Sequence, residues 1–133
     1  MSNLLKGIKV LELAGLAPVP HCGMILADFG ADVTVIDKKF PIIEQRLTRG
    51  KTMKTMDLRS SDDLKIVREM CSKSDVLLDP FRPGVLEKIG LDPLSLLEEN
   101  EQLVICRITG YGQKGRMSRL AGHDINYVGM SGG

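Results

Sequence analysis

Short runs of β-branched and other aliphatic residues recur along the chain, and segments with helical character separate them. Four such runs are predicted as strands, at residues 8–13, 33–36, 76–78 and 103–108. Each run is nearly continuous in apolar residues, which is typical of strands buried on both faces of a parallel sheet. Parallel strands must be joined by crossover segments, which are usually helices. The pattern therefore predicts an α/β fold.

The segments between these runs carry helix signals. Apolar residues at positions 22, 25, 26 and 29 share one face of a predicted helix, and Gly30 follows as its C-terminal glycine. Ser60 and Asp63 have the spacing of a capping box before a second apolar helix. Further helices are predicted at 83–89, 93–99 and 124–130, a loop at 14–20, an irregular segment at 38–54 and an extended piece at 55–58.

The alternation predicts a Rossmann-like parallel sheet with helices on both faces and right-handed crossovers. In such sheets ligands bind at the carboxyl ends of the strands. The loops of interest therefore follow Leu13, Asp37, Leu78 and Thr109. Because a predicted helix has only begun when the chain reaches Gly133, we expect residues 1–133 to be the N-terminal part of a larger domain that is truncated here.

Charge and composition argue against several classes of protein. The 133 residues contain 18 Lys plus Arg and 17 Asp plus Glu, a net charge of +1, which argues against a general nucleic-acid binder. No apolar run approaches the ~18 residues of a membrane span, and the N-terminus lacks the layout of a signal peptide. The cysteines at positions 22, 71 and 106 form no C-x-x-C pair, so we expect buried or half-buried reduced thiols and no metal site.

The loop after the first predicted strand stands where dinucleotide-binding folds carry G-x-G-x-x-G. It reads A-G-L-A-P-V-P-H-C-G at residues 14–23 and does not match. Pro18 and Pro20 lack the amide hydrogens that a pyrophosphate would need. Asp37 closes the second strand as a ribose-binding acid would, but it is a weak signal without the glycines. NAD binding is therefore disfavoured, and His21 is interpreted as structural.

Basic residues are concentrated between positions 38 and 59. Seven Lys or Arg lie there against two acidic residues, Glu44 and Asp57. A local excess of five positive charges could steer an anionic ligand, and phosphate groups suit both basic side chains. A solvated loop face is the alternative interpretation. The seven residues are Lys38, Lys39, Arg46, Arg49, Lys51, Lys54 and Arg59.

The segment D-P-F-R-P-G, residues 79–84, directly follows the third predicted strand. Its two prolines restrict a loop that lies at the ligand edge of the predicted sheet. Arg82 could contact a phosphate or an adenine there, and a tight turn with a surface arginine is the alternative interpretation.

His123 stands in the segment G-H-D-I-N-Y, residues 122–127, at the start of the last predicted helix. Histidine is suited to proton transfer near neutral pH, and the free amides of a helix N-terminus stabilise negative charge. Together they suit abstraction of a proton next to a carbonyl, with the amides holding the enolate oxygen. Alternatively, Asp124 is only a helix cap and His123 only a polar loop residue.

Five segments are the most distinctive in the chain. They are A-D-F-G-A-D-V (27–33), R-L-T-R-G-K (46–51), D-V-L-L-D-P-F-R-P-G-V (75–85), G-Y-G-Q (110–113) and A-G-H-D-I-N-Y (121–127). In this order and spacing they resemble the α-methylacyl-CoA racemases, which belong to the family III CoA-transferase superfamily. The resemblance covers essentially the whole chain, so it is more specific than any single loop.

The resemblance implies a Rossmann-like large domain that binds CoA thioesters and needs neither a metal nor a redox cofactor. It also implies inversion of a 2-methyl-branched acyl-CoA at the α-carbon, by a histidine and an aspartate on opposite sides of an enolate. His123 matches that histidine, whereas the aspartate, the small domain and a C-terminal return segment lie beyond the matched stretch. An interlocked homodimer and a peroxisomal or mitochondrial location are further implications, although no targeting signal is visible.

The same resemblance implies the contacts to the CoA thioester. Lys38 stands where relatives usually carry arginine, so it keeps the charge but loses the bidentate fork. Arg82 matches a loop near the CoA. The segment along the nucleotide is matched by Met56, Asp57, Leu58 and Arg59, and the segment at the pantetheine and thioester by Gly122, Asp124, Ile125, Asn126 and Tyr127.

Two other functions stay open. A family III CoA-transferase would use a downstream carboxylate as nucleophile, and in such relatives this histidine position is not the acid–base residue, so G-H-D-I-N-Y favours the racemase. A non-catalytic short isoform would bind CoA or pair with a full-length subunit without transferring a proton. Because the second acid is not among these residues, we expect the 133-residue chain alone to bind CoA weakly and not to racemise efficiently.

Overall fold

A five-stranded parallel sheet forms the centre of the computed structural model, which describes residues 3–38 and 45–132. Its order is β3-β2-β1-β4-β5, with β1 at Lys9–Leu13, β2 at Asp32–Asp37, β3 at Lys51–Thr55, β4 at Val76–Asp79 and β5 at Val104–Arg107. The helices are α1 (Pro18–Asp28), α2 (Ser61–Ser72), α3 (Val85–Lys88), α4 (Pro93–Glu99) and α5 (Asp124–Ser131), and a 3-10 turn spans Gln45–Leu47. The predicted α/β fold with a parallel sheet is confirmed.

Helices cover both faces of the sheet. Successive side chains of a strand point to opposite faces, so the central strands contribute to two separate cores. One core, against α2, α3 and α4, contains Leu11 and Leu77. The other, against α1, contains Val10 and Leu78. The expectation of helices on both faces is therefore confirmed.

The first helix differs from the prediction in its start and in its buried side. The two prolines of the predicted loop lie in the first turn of α1, where a missing amide hydrogen costs little. Cys22 and Leu26 of the predicted apolar face pack against the core as expected, whereas Ile25 and Phe29 are 40% and 43% exposed. The fully buried positions include Val19 and Gly23. A Cβ on Gly23 would overlap the Glu12 carboxylate, so the helix lies closest to the sheet at a residue that gives no hydrophobic signal.

Strand β3 is the main element that the sequence pattern missed. The prediction was an irregular segment to residue 54 and an extended piece after it, but Lys51–Thr55 pairs with β2 along its whole length. The strand lies at the edge of the sheet and is rich in Lys and Thr, and edge strands commonly carry such polar residues. Its polarity hid it from a search for apolar runs.

The remaining helices begin close to the predicted positions. Ser60 caps α2 by accepting a hydrogen bond from the Asp63 amide at 3.4 Å, and Asp92 caps α4 by accepting one from the Ser95 amide at 3.0 Å. His123 is the residue before α5. Within the described ranges, every helix is too short or too polar to cross a membrane.

Candidate functional site

The loops that carry the predicted site residues leave one edge of the sheet, because all five strands are parallel. Lys38 follows β2, the 56–59 turn follows β3, Arg82 follows β4, and His123 lies between β5 and α5. The outer strands β3 and β5 are four strand spacings apart, on the order of 19 Å. The loops that carry these residues therefore begin at one edge of the sheet and are spread along it.

Lys38 and the 56–59 turn lie at the β3 end of this edge. Lys38 Nζ is 2.9 Å from Asp57 Oδ2, and the Arg59 amide donates to Asp57 Oδ1 at 3.0 Å. The hydrogen bond from the Arg59 amide, followed by that from Lys38, holds the pKa of Asp57 below its ordinary value. Met56 and Leu58 pack against the α2–α4 core, so the turn offers solvent mainly the side chains of Asp57 and Arg59.

The predicted basic patch is not one continuous surface. Arg49 forms an ion pair with Asp28 of α1 through two hydrogen bonds of 2.6 and 3.0 Å. The side chain of Lys51 is only 1% exposed. Lys51 is therefore too buried to contact a ligand, the exposed charge of Arg49 is paired with Asp28, and Lys39 lies outside the described residues. The exposed members of the stretch within the described residues are Lys38, Arg46, Arg49, Lys54 and Arg59, of which Lys38 and Arg49 are paired with aspartates.

A buried ion pair lies between the sheet and α1. Lys51 Nζ donates to Glu12 Oε2 at 2.7 Å and to the backbone oxygen of Pro20 at 2.7 Å. Burial raises the pKa of Glu12, and the hydrogen bond and charge of Lys51 oppose that rise. A cavity of about 40 Å³ beside the pair is lined by Gly15, Asp37 and other residues, and has room for only a few water molecules.

Sequence reasoning missed this pair, although a signal for it was present. Glu12 stands inside an apolar run that was predicted to be buried. A buried carboxylate requires a cation or several hydrogen bonds. The presence of Glu12 therefore predicts a buried basic partner, but the partner could not be chosen among the seven basic residues without knowing that β3 is a strand.

The loops after β1 and β4 touch at the point where the strand order reverses. A Cβ on Gly15 would overlap the ring of Pro80, so the two loops are in direct contact there. Rossmann folds hold dinucleotides at this switch point. Here the contact, together with the prolines in the first turn of α1, differs from the open glycine loop of a dinucleotide site.

A network of one buried and two half-buried charges supports the loop that carries Arg82. Asp79 is 0% exposed and accepts hydrogen bonds from the Phe81 amide and from Arg107 Nε, both at 2.8 Å. Arg107 also binds Glu87 at 2.6 Å. Burial raises the pKa of Asp79, whereas the Arg107 guanidinium holds the pKa of Glu87 below its ordinary value. Both ends of the loop are thereby fixed to β5.

Arg82 itself is exposed and contacts the loop that follows β5. Its Nη1 donates to the backbone oxygen of Arg119 at 3.2 Å. An open cleft of about 560 Å³ beside it is lined by Lys88 and Arg119 as well. The structure therefore brings Arg82 together with a basic loop residue that the sequence did not single out.

His123 is an exposed residue at the start of α5. Its amide donates to Asn126 Oδ1 at 2.8 Å, which is half of a capping box and fixes the histidine backbone at the helix start. Asp124 and Ile125 are exposed in the first turn, where helix amides lack intrahelical partners. The segment thus presents an imidazole and a helix N-terminus together.

Tyr127 differs from its neighbours because its ring is half-buried. The ring stacks edge to face on Tyr111, with ring centroids 4.8 Å apart and planes at 79°. A Cβ on Gly110 or Gly122 would overlap or crowd the Tyr127 ring. Gly122, which was predicted to contact the thioester, therefore also provides the space that this ring needs.

The cysteines and the candidate metal ligands of the described residues add no reactive group to this site. The three cysteines are free and buried or half-buried, as predicted. Burial raises the pKa of the Cys71 thiol to about 12 and also raises that of Cys22, so neither is a ready thiolate. Residues 3–38 and 45–132 contain no group of three His, Cys, Asp or Glu arranged to hold a metal ion.

Comparisons with known proteins find similar sequences over nearly the whole chain. A sequence model of CoA-transferase family III matches residues 5–133. A CaiB/baiF CoA-transferase family protein of Caenorhabditis elegans is 69% identical over 99% of this chain and 39% of that protein. The α-methylacyl-CoA racemase of Mus musculus is 50% identical over 97% of this chain and 34% of the racemase. The chain thus spans little more than a third of the length of these relatives.

The solved structures agree on the fold. A crystal structure of a CAIB/BAIF family protein from Brucella suis superposes with a TM-score of 0.88 at 32% identity. The superposition covers 99% of this chain and 40% of the other. The sheet and helices described above are therefore a part of the fold seen in that larger protein.

Proposed function

This chain belongs to CoA-transferase family III, and from that premise we propose that it forms the CoA-binding side of an acyl-CoA racemase. The substrate would be a 2-methyl-branched acyl-CoA that is epimerised at its α-carbon. His123 would be one of the two acid–base residues. The second acid would come from a segment outside these 133 residues.

The 50% identity to an α-methylacyl-CoA racemase over nearly the whole chain supports the racemase within a family that also contains transferases. The observation that carries the proposal is the exposed position of His123 at the start of α5, a helix whose Tyr127 ring covers Gly110, three residues beyond the end of β5. Lys38, Asp57 and Arg82 follow other strands of the same sheet edge. A CoA thioester is an elongated ligand with phosphates at one end and the reacting carbon at the other. An edge on the order of 19 Å long suits it.

The chemistry follows from the residues at the start of α5. His123 would remove the α-proton, and the electron pair of the broken C–H bond would move into the thioester carbonyl to give an enolate. The amides of Asp124 and Ile125 lie in the first helical turn and would stabilise the negative charge on the enolate oxygen. Return of a proton to the opposite face by the second acid would complete the inversion.

Solvent exchange at the α-carbon tests this proposal. The assembled enzyme is this chain together with the segment that would supply the second acid. In D₂O it should incorporate deuterium into a 2-methylacyl-CoA. His123→Ala should lower the exchange rate at least about 100-fold while CoA affinity changes little. His21→Ala is the matched control, because His21 is also exposed but lies in α1. Equal exchange in His123→Ala and His21→Ala would refute the assignment of His123.

A CoA-transferase is the second candidate, because the matching family model is named for that activity. A transferase would form a covalent acyl-enzyme on a carboxylate. Mass spectrometry of the assembled protein after mixing with an acyl-CoA should detect a mass increase equal to the acyl group if this candidate is right. Deuterium exchange without such an adduct would favour the racemase.

A further inference from the structure

Two tyrosines meet at the backbone that leads into His123. Tyr127 lies on α5 and Tyr111 in the loop after β5, and their rings pack edge to face. A Cβ on Gly122 would lie 2.8 Å from Tyr127 Cε1 and 3.0 Å from Tyr111 Cε2. Both rings therefore lie against the residue that precedes the histidine.

Other contacts do little to hold α5 in the described part of the chain. None of its residues is buried, and Ile125 and Met130 are 80% and 62% exposed. The hydrogen bond from the His123 amide to Asn126 lies within the helix start and does not connect it to the sheet. The Tyr127 ring, in contrast, covers Gly110, three residues beyond the end of β5.

We propose that Tyr111 is a positioning residue for His123 and acts through the ring of Tyr127. Tyr111 is joined to the sheet by β5, and its half-buried ring contacts the ring that holds the start of α5. Proton transfer needs the base within hydrogen-bond reach of its proton, so a small displacement of α5 lowers the rate. The inference rests on the proposed function, because it takes His123 to be an acid–base residue.

Paired substitutions in the assembled enzyme test the catalytic consequence. Tyr111→Leu removes the aromatic partner, whereas Tyr111→Phe keeps the ring. We expect Tyr111→Leu to lower kcat for deuterium exchange at the α-carbon about tenfold or more with KM within about threefold, and Tyr111→Phe to stay within about twofold of the wild type. Unchanged kcat in Tyr111→Leu, an effect on KM alone, or an equal loss in Tyr111→Phe would each overturn the proposal.

A second measurement does not depend on the proposed reaction. In NMR spectra of the 133-residue chain, we expect Tyr111→Leu to shift the ring signals of His123 and to speed amide exchange in α5. The signals of His21 and the amides of β1 should stay unchanged, and Tyr111→Phe should resemble the wild type. Unmoved His123 signals in Tyr111→Leu would overturn the positioning role.

The two measurements separate the possible failures. If the wild-type enzyme shows no exchange at the α-carbon, the proposed function fails, and the NMR comparison still decides whether Tyr111 positions His123. If Tyr111→Leu loses the dispersed spectrum of a folded chain, Tyr111→Met takes its place under the same criteria in both measurements.

Discussion

Lys51 Nζ lies 2.7 Å from Glu12 Oε2 beneath α1, and the two side chains are only 1% and 2% exposed. The same ammonium group donates to the backbone oxygen of Pro20. One buried cation thus joins the edge strand β3, the central strand β1 and the first turn of α1. These elements carry the loops that follow β1 and β3. The ion pair therefore contributes to the geometry of the candidate site, although both side chains lie beneath the surface of that site.

Removal of the cation should destabilise the fold strongly. In Lys51→Met, Glu12 would stay buried without a partner, so we expect the free energy of unfolding in urea to fall by about 3–5 kcal/mol. Lys54→Met is the matched control on the same strand, and because Lys54 is exposed its effect should stay within about 0.5 kcal/mol. Glu12→Leu combined with Lys51→Met should recover most of the loss. Equal effects of the two single lysine substitutions would contradict this prediction.

Arg107 should be important for the loop that carries Arg82. Its guanidinium is the cation bonded to the fully buried Asp79, so Arg107→Met should lower the free energy of unfolding by about 3 kcal/mol. Arg107→Lys should recover only part of the loss, because an ammonium cannot reproduce the fork that binds Asp79 and Glu87 together. A full recovery in the lysine variant, measured by urea unfolding, would argue against this geometry.

Asp57 should contribute to the pH dependence of stability. Because its pKa is held below the ordinary value of 3.8 in the folded state, its contribution is complete above about pH 3.8 and is lost as the pH falls through the lower, folded-state pKa. Asp57→Asn removes the contribution. The Tm difference between wild type and variant, followed by circular dichroism from pH 6 to pH 2.5, should therefore shrink at the acid end. A constant difference would contradict the lowered pKa of Asp57 and the hydrogen bonds from the Arg59 amide and Lys38 that cause it.

Two arginines of the basic stretch should differ in their effect on CoA binding. Arg59 is exposed beside Asp57 in the turn that follows β3, whereas Arg49 is bound to Asp28 of α1. In equilibrium titrations of the assembled enzyme with CoA, we expect Arg59→Ala to raise Kd about three- to tenfold and Arg49→Ala to change it less than twofold. Raising the salt concentration should reduce the effect of Arg59→Ala. The opposite ranking of the two variants would place the nucleotide elsewhere.

The sequence was sufficient for those elements whose signal is local. Four of the five strands are rich in aliphatic residues, and Ser60 and Pro93 mark the starts of α2 and α4 with chemistry that depends only on nearby residues. His123 could be placed at a helix start for the same reason. These features need no knowledge of the tertiary structure.

The features that were missed depend on contacts between distant residues. β3 is a strand because β2 offers it a partner, and its polar residues resemble a loop until Lys51 is seen to pair with Glu12. The buried side of α1 depends on the close contact between Gly23 and the Glu12 carboxylate, where a larger side chain would not fit. Likewise, the contact between Tyr111 and Tyr127 joins residues 16 positions apart on two elements, which no local pattern predicts.

The 133-residue chain by itself should not racemise its substrate efficiently. If His123 supplies only one of two acid–base groups, the chain alone can at best remove and return a proton on one face. We therefore expect neither epimer of a 2-methylacyl-CoA to be converted into the other at a rate near that of the assembled enzyme, as measured by chiral chromatography of the hydrolysed acids. The matched control is His123→Ala in the same chain, which should abolish any slow deuterium exchange that remains. Conversion at the rate of the assembled enzyme would show that the second acid lies within these residues.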